Sequence, residues 1–220
     1  MFATLLRSTW RNLQKRYPGI LFHGNTNLPG IALTFDDGPH PRDTPRVLEV
    51  LAKHDVRSTF FLIGESVERY PHLVKQIHDR GHQLGLHCYR HIPFPLESAS
   101  TLKGQLDRSR IAIADACGVS PDSIRDIRPP YGIFSKKNLS LLNDSDYRLV
   151  LWDNMPLHFL QPVSWTVKQI EENVSSGSII VLHDGKGHGA KVAAIVDTII
   201  PMLKAMEFDF IRIDDMERNG

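Results

Sequence analysis

The spacing of apolar positions changes along this chain. From Ile31 onward, short runs rich in β-branched residues alternate with longer stretches in which apolar residues return every three or four positions, the mark of consecutive βα units around a parallel sheet. Seven runs predict strands: Ile31 to Phe35, Val56 to Ile63, Gln83 to His87, Asp126 to Pro129, Arg148 to Trp152, Ser178 to His183 and Phe208 to Ile213. The helices between them have readable ends. Thr44 then Pro45 reads as a cap followed by a first-turn proline, ahead of the apolar face Val47, Leu48 and Leu51. Gly81 closes a helix carrying Leu73, Val74 and Ile77, and Gly118 follows a longer one with Leu102, Leu106, Ile113 and Cys117 near one stripe. Val192, Ile195, Val196, Ile199 and Leu203 mark the last. No linker, repeat or break in composition announces a second domain. The expectation is one α/β domain of parallel strands closed into a barrel.

The opening segment has a different character. On a helix, Phe2, Leu6, Trp10, Leu13 and Tyr17 share one face while Arg7, Arg11 and Lys15 share another. With Arg16, these basic residues all precede the first acidic one, Asp36. Such a helix either docks its apolar stripe on the domain or lies on a membrane surface. Its charges interrupt the run of about 7 to 15 apolar residues that a secretory signal needs, so the expected location is cytoplasmic, with peripheral contact at the inner membrane surface as the second option. Residues 1–28 are accordingly set apart as an amphipathic segment from a domain spanning 29–220.

Composition narrows the class. The 220 residues are 41% hydrophobic and 23% charged, as in a soluble globular domain. No stretch approaches the roughly 18 apolar residues of a membrane-spanning helix. A formal net charge of +1 gives no basic footprint for nucleic acid. Two cysteines, Cys88 and Cys117, exclude a disulfide framework and read as free thiols.

The reactive residues fall where strands are expected to end: Asp36 and Asp37 after the first, His87 at the third, Arg128 in the fourth, Trp152 and Asp153 at the fifth, His183 at the sixth. Parallel strands put all of them on one rim, where barrels build active sites. Adjacent carboxylates in Asp36-Asp37-Gly38-Pro39 repel unless a cation or proton sits between them; the alternative is a turn whose Asp caps a helix. His87 and His91 are four residues apart, a spacing common to zinc pairs, although eleven histidines make some such pair unsurprising. One carboxylate with two imidazoles leaves a coordination position open for water, as hydrolytic metal sites do. His183 ends the apolar run Ile179 to Leu182, either as a satisfied core histidine or as a proton donor suited to neutral pH.

Together these motifs resemble the polysaccharide deacetylases, the nodulation-type family four of carbohydrate esterases. The likeness rests on Thr34-Phe35-Asp36-Asp37-Gly38-Pro39, Ser58 to Gly64, His87-Cys88-Tyr89-Arg90-His91, Arg128-Pro129-Pro130-Tyr131-Gly132 and Leu182-His183-Asp184, in that order. It implies a distorted seven-stranded β/α barrel. The implied activity is removal of N-acetyl or O-acetyl groups from an amino-sugar polymer, an oligosaccharide or a sugar precursor with one divalent metal, commonly zinc, with cobalt, nickel or manganese as alternatives. The resemblance further implies that Asp37, His87 and His91 hold the metal, Asp36 is the general base and His183 the acid. Arg128 would hold Asp36, the backbone N–H near Tyr131 beside Pro130 would face the oxyanion, and Trp152 and Leu182 would line the acetyl pocket.

Two departures bear on these expectations. Cys88 stands where the family has Ser or Thr, and a thiol braces the histidine loop less well. The family's Asp-x-x-Asp-Trp segment aligns with Met155-Pro156-Leu157-His158-Phe159, so the carboxylate that orients the catalytic histidine is missing at Met155; Asp153 is the expected substitute. The competing expectation is a catalytically impaired carbohydrate-binding protein on the same fold.

Overall fold

The computed structural model describes residues 16, 17 and 19–218. Of the helix expected over Met1 to Tyr17, residues 1–15 lie outside the described ones; Tyr17 packs its ring edge-on against Phe134, with centroids 6.2 Å apart.

Among the described residues eight strands form: β1 (Ile20–Leu21), β2 (Gly30–Asp36), β3 (Thr59–Leu62), β4 (Gln83–Leu86), β5 (Asp126–Ile127), β6 (Arg148–Val150), β7 (Ile179–His183) and β8 (Asp209–Phe210). Each of the seven predicted runs coincides with one, β2 extending a residue beyond its run at each end, and β1 is additional. It falls inside the 1–28 stretch set apart in the sequence, pairs with β6, and leads into Phe22, which with Ile20 is buried in the core. Two residues are too few for any apolar period to show.

All pairings are parallel, in the order β1-β6-β5-β4-β3-β2-β7, with β8 on Gly30 and Ile31 of β2. The sheet curls until Asn154, beyond β6, bridges Ile180 of β7. The result is a distorted half-barrel whose circuit is completed by one bridge in place of a strand ladder. Every residue of β2 is buried, as expected of a strand covered on both faces.

Helices α1 (Thr44–Lys53), α2 (Gly64–Arg69), α3 (Pro71–Asp79), α4 (Ala99–Cys117), α5 (Lys136–Asp144), α6 (Val163–Asn173), α7 (Gly189–Ala205) and α8 (Asp215–Arg218) complete the domain. The stripes read for α1, α3, α4 and α7 supply most of their buried positions. Gly118 closes α4 in the left-handed region, its N–H reaching the Ala114 carbonyl at 2.8 Å. Thr44 departs from its expected role. It is the first residue of α1, not the cap; its hydroxyl accepts from the His40 N–H at 2.8 Å and donates to Asp184 at 2.5 Å. Among the described residues no helix is long and apolar enough to cross a membrane.

One core contact makes stability depend on pH. His82 is buried against Phe60, and its Nδ1 accepts the Ser58 N–H at 3.1 Å, which only a ring unprotonated at Nδ1 can do. Burial, then the nearby charges of Arg80, Arg57 and Arg212, push its pKa down to about 4. The unfolded chain keeps the ordinary value near 6.5 and so binds more protons between those two pH values; stability rises with pH there and is lost as pH falls from about 6.5 to 4. Urea melts of His82→Asn at pH 4.5 and 7.5 should differ by roughly 2–3 kcal/mol less than wild-type melts. Equal pH slopes would contradict this.

Candidate metal centre and catalytic cavity

Because every strand runs the same way, residues at strand C-termini meet at one rim. Asp36 ends β2 and pairs in register with His183, which ends β7. Asp37 follows Asp36, His87 follows β4, and Arg128 follows β5. Asp36, Asp37, His87 and His183 surround a cavity of about 370 Å³ whose walls also include His91, Tyr131, Trp152, Met155, Phe159, Lys186 and His188.

Asp37, His87 and His91 each offer one ligand atom within 4.8 Å of the others. Asp37 Oδ1 lies 3.6 Å from His87 Nε2 and 3.2 Å from His91 Nε2, and it is buried with no hydrogen-bond partner among the described residues. A buried carboxylate oxygen without a donor, facing two imidazole nitrogens, is the arrangement a divalent cation resolves. The imidazoles are prepared for it. His87 Nδ1–H donates to the Arg128 carbonyl at 2.8 Å, which leaves the Nε2 lone pair toward Asp37. Burial, and then the neighbouring His87, push His91 down to about 4, so it is a neutral ring with a lone pair to give. Burial alone would raise the Asp37 carboxyl; His87, the hydrogen-bonded Lys186 ammonium and His91 outweigh it and hold Asp37 below its ordinary value. This triad could hold a metal ion.

Asp36 is positioned from below. Arg128, fully buried, donates from Nη1 to Asp36 Oδ1 at 2.7 Å and to Thr34 Oγ1 at 2.8 Å, and from Nη2 to the Leu151 carbonyl at 3.1 Å. Its guanidinium carbon lies 4.0 Å from the Phe61 ring centroid. One guanidinium thus joins β2, β5 and the end of β6 beneath the cavity floor.

The fifth-strand region departs most from expectation. Trp152 lines the cavity, and Gly132 is required beside it: at φ +68° a Cβ there would come within 2.7 Å of the indole. Leu182, expected in the acetyl pocket, is fully buried in the core cluster and is not among the lining residues; Met155 and Phe159 supply that apolar wall. Asp153 does not reach His183. Its carboxylate accepts the Ile179 N–H at 2.6 Å and the Ser178 hydroxyl at 2.8 Å, at the opposite end of β7, because the chain crosses there to make the Asn154 bridge. Four residues of strand, on the order of 13 Å, separate the two. Instead His158, a buried histidine of the same segment, lies against His183 with ring centroids 5.1 Å apart.

Cys88 is buried, and its thiol faces Gln105 Oε1 at 3.5 Å; burial pushes its pKa up to about 11. The histidine loop is held by backbone, with the Gly64 and Glu65 N–H groups donating to the Cys88 and Tyr89 carbonyls at 2.9 and 3.1 Å.

Lys186 was not anticipated. Its ammonium lies 2.9 Å from Asp37 Oδ2, and Gly185 beside it allows the approach, since a Cβ there would meet the Asp37 carbonyl oxygen at 2.7 Å. The signal was present in the sequence as a lysine between two glycines just after a site strand. Asp37, Cys88, Tyr131 and Lys186 all have positive φ, so four rim loops adopt a conformation unfavourable for L residues, as binding sites often do.

The chain is similar to known proteins along most of its length. The polysaccharide deacetylase family profile matches residues 23–150. The chain is similar to a peptidoglycan-N-acetylglucosamine deacetylase of Bacillus cereus, 32% identical over 203 residues covering 89% of this chain and 70% of that relative. It is also 32% identical to a chitooligosaccharide deacetylase of Azorhizobium caulinodans over 83% of this chain and 91% of that one. Its fold superposes on a peptidoglycan N-acetylglucosamine deacetylase solved in complex with an N-oxidanyl-benzamide at a TM-score of 0.86 and 30% identity, covering 90% and 92% of the two chains.

Proposed function

The chain belongs to the polysaccharide deacetylase family, and from that premise we propose that it hydrolyses the N-acetyl group of an amino sugar in a peptidoglycan-like or chitooligosaccharide substrate. The observation that carries this reading is the buried, unpartnered Asp37 Oδ1 facing His87 and His91, with Asp36 and His183 on adjacent strand ends beside it. Asp37, His87 and His91 would hold one divalent ion, zinc by the chemistry of the donor set. Bound there, the ion supplies Lewis acidity toward water and the acetyl carbonyl.

The remaining steps belong to side chains. Asp36 offers Arg128 one oxygen and is left with the other to take a proton from the attacking water. The water oxygen bonds to the acetyl carbon, and the oxyanion so formed faces the Tyr131 backbone N–H. His183 then protonates the sugar nitrogen as the C–N bond breaks, releasing acetate and a free amine. Burial lowers the His183 pKa, against the opposing pull of Asp36 and Asp37, which makes its protonated form a stronger acid toward that nitrogen. Trp152, Met155 and Phe159 present apolar surface to the acetyl methyl.

Acetate release from N-acetylglucosamine oligomers tests the reading. Zinc-loaded protein should release acetate, chelator should reduce release to background, and zinc should restore it; an O-acetylated sugar assayed in parallel separates amide from ester hydrolysis. Protein holding one zinc per chain that releases no acetate from the oligomers would sink the N-acetyl assignment.

A further inference from the structure

Two buried ring nitrogens beside the cavity have no hydrogen-bond partner among the described residues: His183 Nδ1 and His158 Nε2. They belong to neighbouring rings, 5.1 Å between centroids and inclined by only 28°. Orphaned buried donors and acceptors are rare in folded proteins, and two on adjacent side chains point to each other as the solution. Other candidates around His183 are committed elsewhere. Asp36 gives one oxygen to Arg128 and keeps the other for the attacking water, Asp153 is bound to β7, and Met155 carries no hydrogen-bonding oxygen or nitrogen beyond its backbone.

The chemistry of His158 fixes its role. Its Nδ1 lies 3.3 Å from the Pro156 carbonyl, a group that only accepts, so Nδ1 carries the proton and Nε2 the lone pair. The ring is fully buried between Phe159 and His183, and burial followed by the His183 charge keeps its pKa near 4, so it stays neutral.

We infer that His158 is a positioning residue for His183: its Nε2 accepts the His183 Nδ1–H, directly or through one water, and thereby keeps His183 Nε2 turned to the cavity. The inference rests on His183 being the proton donor proposed above. A neutral acceptor does here what a carboxylate would do elsewhere, fixing tautomer and ring orientation without adding negative charge beside Asp36 and Asp37.

The test has two readouts. In the zinc-loaded enzyme, His158→Leu should lower kcat for acetate release by about 10–100-fold, with KM and zinc content unchanged, and His158→Gln, whose amide oxygen reaches the Nε2 position, should recover most of the loss. Nitrogen-15 shifts of the imidazoles should show His183 as the Nδ1–H tautomer in wild type and His158→Gln, and a mixture in His158→Leu. A wild-type neutral His183 that is the Nε2–H tautomer, with Nδ1 unprotonated, overturns the inference even if the leucine variant fails to fold. So does a kcat loss that glutamine does not rescue while the tautomer stays the same, which would mark a packing role. Wild-type enzyme that releases no acetate would instead sink the deacetylase reading, while the ring shifts would still decide the pairing.

Discussion

Asp36→Asn is expected to lower acetate release by about 10²–10⁴-fold, the usual worth of a positioned general base, with zinc content preserved and a lower thermal midpoint, because the buried Arg128 cation loses its counter-charge. The carboxamide oxygen can still accept from Arg128 Nη1, so the 2.7 Å contact beneath the floor survives. What disappears is the carboxylate's basicity at the oxygen left free of Arg128. The metal triad is untouched, because Asp37, His87 and His91 are separate residues with their own supports. Steady-state rates, bound zinc per chain and the thermal midpoint together decide the matter. A rate within ten-fold of wild type would remove Asp36 as the base, and a loss of zinc would make it a ligand instead.

The rim of reactive residues was legible because of a simple constraint. Parallel strands point one way, so a residue that ends a run in the sequence must end at the same face as every other. Asp36, His87, Arg128 and His183 come together for that reason, and the apolar runs that locate them are continuous because the strands are covered on both sides. What was hidden depended on contacts that no period encodes. β1 is two residues long. Thr44 looked like a cap because hydroxyl residues before proline usually are; its hydroxyl is drawn instead to Asp184, buried beside α1.

The segment after β6 was misread for a related reason. Asp153, two residues before Met155, is the expected substitute for the missing carboxylate, yet the backbone turns to bridge β7 at Asn154 and carries the Asp153 side chain to the far end of that strand. The same turn brings Met155 and Phe159 into the cavity wall and buries His158 against His183. Leu182 alternates away into the core while its neighbour His183 faces the site, as successive residues of a strand do. A segment that resembles the family least in sequence therefore supplies much of the wall around its proposed acid.

Arg128→Met should be the most destabilising single change at the site, by about 3–5 kcal/mol in urea melts at pH 7, because it leaves the buried Asp36 carboxylate without its cation. Arg128→Lys should recover little of this. One ammonium cannot reproduce the planar fork that reaches Asp36, Thr34 and Leu151 at once, nor lie over the Phe61 ring as the guanidinium does. The informative comparison is the double variant Asp36→Leu with Arg128→Met. Replacing a whole buried ion pair by apolar residues of similar size is often neutral for stability or better, so the double variant should melt several kcal/mol above Arg128→Met alone and yet release no acetate. That outcome would show that the charge of the pair is retained for the base and not for the fold. A double variant as unstable as the single one would assign the guanidinium a structural role through Thr34 and Leu151 that is independent of Asp36.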